Sequence, residues 1–351
     1  MVLFCLARSA LFCYAFGMAK KRILTGDRPT GPLHLGHYVG SVQNRVNLQN
    51  EGHELFVIIS DFQVLTDRLE TKAAEENVFE LLLDYLACGI NPAKSTIFIQ
   101  SRVPALAELF VYLSMLVPVS RALANPTVKE ETKATAGGKM SLGMLNFPIS
   151  QAADILAFNA DLVPVGEDQV PHIEQTREIA RAFNRTFSKV FKEPEALLSK
   201  FPRLMGLDTK QKMSKSRGNA IFLSDSKDAV VKKIKAAVTD SGKEIVFDPK
   251  HKPALANLLT MYHLFSGREI KEIEKIYEGK GYAEFKFGLA EVINDFLEPI
   301  RRAREEFSQD KSYLALVLRE GTERAIAETE TVMKKARQAM RYDYKNIFHS
   351  S

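Results

Sequence analysis

Residues 22–37 read RILTGDRPTGPLHLGH, and the order of residue types in that stretch decides the fold. Arg22 to Thr25 reads as a short strand. Gly26, Pro29, Gly31 and Pro32 follow as a turn, and a helix then runs on through Val39, Val42 and Val46. A glycine-rich turn between a strand and a helix is an anion site, because unpaired N–H groups and the helix dipole converge on one place. Phosphate is the natural guest. Gly36 removes a side chain where a base or ribose would approach, and His34 and His37, three apart, share a helical face and donate hydrogen bonds. Alone, the same letters fit a surface turn with two solvated histidines, or half of a metal pair for which no further ligands stand at suitable spacing. Their position after the first strand of an α/β sheet favours a ligand crevice.

Outward from this turn, β-branched runs alternate with amphipathic helices, the pattern of a parallel sheet covered by helices. Leu55 to Ser60 and Thr96 to Gln100 read as further strands, and Leu162 to Val165 as another. Between the second and third, Ala73 to Cys88 sets Val78, Leu81, Leu82, Tyr85 and Leu86 on one helical face and stops at Gly89 and Asn91-Pro92. A later helix opens at Asp168 and runs to about Phe183. Beyond about Ser226 helical patterns take over, at 229–238, 253–265, 269–277, 287–304 and 322–340, with the aromatics of Tyr282 to Phe287 interrupting them. The reading is an α/β chain: residues 20–225 a Rossmann-like parallel-sheet catalytic domain with a helical insertion around 103–160, and residues 226–351 an all-helical domain. Residues 1–19 are apolar, broken by Arg8, and followed by Lys20, Lys21 and Arg22. They match a signal peptide poorly and fall short of the roughly 20 residues that span a bilayer. We read them as an extension preceding a start at Met18.

The 351 residues are 46% hydrophobic and 26% charged, with 48 Lys plus Arg against 43 Asp plus Glu, which excludes collagen, disorder and a disulfide scaffold. The net charge of +5 permits an anionic partner. Cys5, Cys13 and Cys88 form no zinc pair, so no protein-held metal is expected, and the setting reads as reducing and intracellular. Trp is absent.

Two further stretches carry chemistry. Lys212-Met213-Ser214-Lys215-Ser216-Arg217-Gly218 offers two lysines three apart, two hydroxyls and a glycine, which suits a loop closing on polyphosphate, although charge runs are usually solvated. Asp154 follows Ala152 and Ala153 and precedes Ile155 and Leu156. It is either a helix-surface carboxylate or a buried acceptor at the floor of an apolar pocket, where an unmatched acceptor would penalise the wrong ring. Asp168 is a candidate N-cap for its helix.

HLGH and KMSKS in this order resemble the signatures of the class I aminoacyl-tRNA synthetases. The intervening AADIL of 152–156, VPVGEDQ of 163–169 and His172-Ile173-Glu174 are similar to the tryptophanyl-tRNA synthetase family. The resemblance runs from about Lys20 into the C-terminal helices. It implies that Arg28, Pro29, Thr30, Gly36 and His37 line ATP, with Arg28 and His37 standing where Gln and Asn are common. It further implies that Gly166, Glu167 and Asp168 hold the ribose, Leu204 flanks adenine, Lys133 is a further phosphate contact, and Lys212, Met213, Ser214, Lys215 and Ser216 form the phosphate loop. His34, His37, Lys212 and Lys215 are the implied catalytic groups. Asp154 matches the acceptor for the indole N–H of tryptophan, while Gln169 and Phe147 fall where its ammonium end is held. The implied activity is ligation of tryptophan to tRNA(Trp): the carboxylate attacks the α-phosphorus of ATP, used with Mg²⁺, pyrophosphate leaves, and the 3′ ribose of the tRNA takes the acyl group. A helical anticodon-binding domain, a homodimer, a cytoplasmic setting and no membrane complete what it implies. The tyrosine enzyme, a nucleotidyltransferase with the same turn and a catalytically silent RNA-binding relative are the competing readings.

Overall fold

A computed structural model describes residues 20–66, 69–129, 140–198, 204–209, 211–344 and 347, except for the side chain of Ser216. The 1–19 extension and Lys133 therefore lie outside the described residues.

Five strands, β1 (Arg22–Asp27), β2 (Glu54–Ile59), β3 (Ser95–Ile99), β4 (Leu162–Val165) and β5 (Glu195–Leu198), form one sheet in the order β3-β2-β1-β4-β5. Every pairing is parallel, with Ile23 opposite both Leu55 and Leu162. Alternate residues serve opposite faces. Ile23, Val57 and Ile97 join one core, while Leu24, Phe56, Ile58 and Phe98 join the other. Both faces are thus buried, which is why these strands read as continuous apolar runs.

The glycine-rich turn leads into α1 (Leu35–His37), a π-helical turn at Tyr38–Val42 and α2 (Gln43–Asn50). The core on the first face takes in α2 and α3 (Ala74–Ala87), and it continues outward through the later α8 (Lys227–Ala236), α9 (Pro253–Ser266), α10 (Ile270–Ile276) and α11 (Tyr282–Ser308), with α11 packed on α3, α8 and α9 on α11, and α10 on α9. The second is covered by α4 (Pro104–Ser114), followed by α5 (Val119–Leu123), and by α6 (Leu142–Ala157) and α7 (Val170–Thr186). The helix α12 (Lys311–Met340) crosses from one face to the other: Val317 and Leu318 lie in the first core, and Ala325, Val332 and Met333 in the second. Where it crosses, Gly321 lies so close to β3 that a Cβ would sit 1.8 Å from the carbonyl oxygen of Ile97. The hydroxyl of Thr322 accepts the Ile99 N–H at 3.4 Å.

Two local readings are corrected. The aromatics from Tyr282 to Phe287 do not interrupt the helices but form the opening turns of α11, where buried Phe285 faces Tyr262 and Tyr277. Asp168 does not cap α7. It lies in a 3-10 turn, Glu167–Gln169, and the helix starts at Val170 without a side-chain cap.

Candidate active site

The order β3-β2-β1-β4-β5 reverses its winding between β1 and β4, and ligands of open α/β sheets bind in the crevice beyond the strand ends at such a point. A cavity of about 660 Å³ lies there. Arg28 enters it from the end of β1, Phe147, Gln151 and Asp154 from α6, Gly166, Asp168 and Gln169 from the end of β4, and Lys212 from the basic loop. Seven residues named from the sequence, with Arg28 and Lys212 at the extremes, 184 positions apart, therefore meet around one space.

Under the turn lies a buried ion pair. The Arg45 guanidinium, only 2% exposed, donates to Asp27 at 2.5 Å, to the Thr25 hydroxyl at 2.9 Å and to the Gly26 carbonyl at 3.0 Å. The Tyr85 hydroxyl donates to the same carboxylate at 2.8 Å. Burial alone would raise the Asp27 carboxyl, but the charge and hydrogen bonds of Arg45 hold it well below the usual range. The end of β1 is fixed by these contacts.

His34 and His37 close a reciprocal cap. Nδ1 of His34 accepts the His37 N–H at 3.3 Å, and Nδ1 of His37 accepts the His34 N–H at 3.2 Å. Each ring therefore carries its proton on Nε2. Burial pulls the two imidazoles down to about 3 and about 4, with Lys215 acting in the same direction on both. Both are neutral donors at physiological pH, suited to phosphate oxygens without needing to gain a proton.

The basic loop docks on the turn. The Lys215 ammonium donates to the Gly31 carbonyl at 2.5 Å and to the Thr30 hydroxyl at 3.3 Å. Met213 is buried, its N–H reaches the Leu204 carbonyl at 3.4 Å, and Leu204 packs in the same core. A Cβ on Gly36 would stand 3.4 Å from that of Met213 and 3.0 Å from the His34 ring, so glycine lets the loop and turn close together. The Ser214 N–H donates to Asn219 at 2.9 Å. Pro29 is buried beside the turn and Glu167 is exposed at the end of β4.

Asp154 settles between its two readings as the buried acceptor. It is 3% exposed and receives both Gln100 Nε2, at 2.7 and 2.9 Å, and Gln63 Nε2, at 3.0 Å. Burial pushes its carboxyl up to about 7 against those donations. The rings of Phe147 and His172 meet nearly at right angles with centroids 5.6 Å apart, and Nε2 of His172 lies 2.8 Å from the Thr127 hydroxyl. The sequence reading missed Gln63, Gln100 and Arg45. A signal existed for the first two: both follow the carboxyl end of a parallel strand, where polar residues face the crevice.

A family model described as tRNA synthetases class I (W and Y) matches residues 18–298. The chain belongs to this family. Among curated relatives of this class I tRNA synthetase, the tryptophan–tRNA ligase of Clostridium longisporum is 44% identical, covering 94% of this chain and all of its own length. That of Treponema pallidum is 43% identical over 93% of this chain. Among solved structures, tryptophanyl-tRNA synthetase from Campylobacter jejuni, complexed with ADP and tryptophan, superposes with a TM-score of 0.81 at 31% identity, covering 91% of this chain and 99% of its own. The enzyme from Mycoplasma pneumoniae gives 0.81 at 29% identity over 93% of this chain and 99% of its own.

Proposed function

We propose that this chain is a tryptophan–tRNA ligase. It joins L-tryptophan to the α-phosphoryl group of ATP, forming tryptophanyl-adenylate and pyrophosphate, and then passes the acyl group to the 3′ ribose of tRNA(Trp), releasing AMP. The observation that carries this reading is the position of Asp154: a buried carboxylate held by two glutamine amides, in the wall of the same cavity that Arg28, Asp168 and Lys212 line. A buried acceptor in that wall selects a ring that brings an N–H, and it penalises one that does not.

In the first step the tryptophan carboxylate oxygen forms a bond to the α-phosphorus, and the bond from that phosphorus to the bridging oxygen of pyrophosphate breaks. No protein nucleophile takes part. The work is positioning and charge stabilisation. His34 and His37 donate from Nε2, Lys212 and Lys215 neutralise phosphate charge, Arg28, Pro29, Thr30 and Gly36 shape the turn against the nucleotide, and Gly166, Glu167 and Asp168 hold the ribose. Met213 and Leu204 back the adenine side, with Ser214 and Ser216 completing the loop. Gln169 and Phe147 hold the ammonium end of tryptophan. ATP enters as its Mg²⁺ complex, with the metal carried by the phosphates.

The helical residues from 226 onward bind the anticodon, and the chain works in the cytoplasm. Among the described residues no helix is long and apolar enough to cross a membrane. A homodimer belongs to the proposal, supported by the apolar residues that α4, α5 and the segment between them leave outside, Val111, Met115, Val119 and Leu123, with Met115 79% exposed.

Exchange of labelled pyrophosphate into ATP, without tRNA, tests the activity. Tryptophan alone should drive exchange, and Asp154→Ala should abolish it or open it to phenylalanine. Exchange driven by tyrosine, or none with any amino acid, would overturn the reading.

A further inference from the structure

Asp84 is a fully buried carboxylate that the proposed chemistry does not use. It lies on α3 with 0% exposure. One of its oxygens accepts the Leu33 N–H at 2.6 Å, and the other accepts from the Arg304 guanidinium, which also donates to Glu80 at 2.6 Å. Leu33 immediately precedes His34. Arg304 is on α11, in the helical part of the chain, 220 positions away from Asp84.

The Leu33 N–H is a demanding group. Pro32 has no N–H of its own, and a buried backbone donor without an acceptor costs about 1–3 kcal/mol. Neighbouring backbone groups of the turn pair with the strand-like segment after the basic loop: the Leu223 N–H donates to the Leu33 carbonyl at 2.9 Å, and the Leu35 N–H to the Ile221 carbonyl at 2.9 Å. The Leu33 N–H is held instead from α3. Its acceptor is a carboxylate that stays charged through a cation from a distant helix. Burial already pushes the Asp84 carboxyl up to about 6, with the charge of Arg304 opposing it.

Resting on the proposed function, we propose that Asp84 and Arg304 are positioning residues for ATP: the helical part of the chain fixes the backbone at Leu33, and through it the paired rings of His34 and His37. Neither side chain touches nucleotide. Arg304 keeps Asp84 ionised, Asp84 holds the Leu33 N–H, and the cap begins at the next residue.

Two variants that both remove the buried charge isolate the acceptor. Asp84→Asn with Arg304→Met keeps an oxygen for the Leu33 N–H, whereas Asp84→Ala with Arg304→Met does not. Arg304→Met alone is the third, leaving an unpaired carboxylate. For each we would measure the KM for ATP and the KM for tryptophan in pyrophosphate exchange, the direct Kd for ATP by equilibrium dialysis, and the Tm. The Ala/Met pair should bind ATP about tenfold more weakly than the Asn/Met pair, the size expected for one buried hydrogen bond, with the two KM values for tryptophan within about twofold. Arg304→Met should weaken ATP in the same direction. Equal ATP Kd in the two double variants, or KM values for ATP and tryptophan rising together in step with a falling Tm, would overturn the proposal. A parent that binds ATP but exchanges with no amino acid would sink the ligase reading alone, since the dialysis comparison still decides the role of Asp84.

Discussion

Asp154 burdens the fold in order to serve the site. A carboxyl near 3.8 in its ordinary state is pushed up to about 7 here by burial. Between about pH 4 and pH 7 the folded chain keeps a proton that the unfolded chain has released, so this group makes the fold less stable as pH rises through that window, by a few kcal/mol in all. Asp154→Asn removes the dependence. Denaturant unfolding of parent and variant from pH 4 to pH 8 should show their difference moving in the variant's favour with rising pH and levelling above 7. Parallel curves would refute it. Tryptophan should bind more tightly over the same rise, because an indole N–H favours the charged carboxylate. Asp154 was legible from its small and apolar neighbours, but only as one of two alternatives. What decided between them were Gln63 and Gln100, which reach it from other elements across 91 and 54 positions. Sequence periodicity has no access to that distance.

At the scale of elements, β1 to β4 and most helices were legible because both period and punctuation were clear. β5 was not: Glu195–Leu198 is four residues long, with none fully buried, so it carries neither alternation nor an apolar run. The opening of α11 was misread because clustered aromatics favour strands locally, while the packing of Phe285 against Tyr262 and Tyr277 favours the helix. The crossing of α12 over β3 makes a sharper prediction. Gly321→Ala improves helix propensity by up to about 1 kcal/mol, but its Cβ would meet the backbone oxygen of Ile97 at 1.8 Å, and backbone cannot rotate away. Overpacking of this kind costs about 1–3 kcal/mol. The clash should win, and the variant should unfold at a lower denaturant concentration than the parent. A midpoint equal to or above the parent's would show that α12 can slide on the sheet edge freely.

For the whole molecule, the parallel α/β architecture followed from alternating strands and helices, and the place of the site followed from the turn after β1. The strand order needed the structure, as did the buried contacts that bind α11 to α3 and α12 to β3, which join residues more than 200 positions apart. The exposed face of α4 and α5 sets the last prediction: Met115→Glu should lower the molecular mass measured by light scattering from that of two chains to that of one, whereas an unchanged mass would place any interface elsewhere. The crossing of α12 also bears on how the protein is made. A chain emerging from the ribosome presents Ser95–Ile99 long before Lys311–Met340 exists, and until then one margin of the sheet stands open, with hydrogen-bonding groups that any neighbouring extended chain can engage. Folding of the sheet is therefore sealed only once this helix is made, and a product cut short before Gly321 would carry a sticky flank.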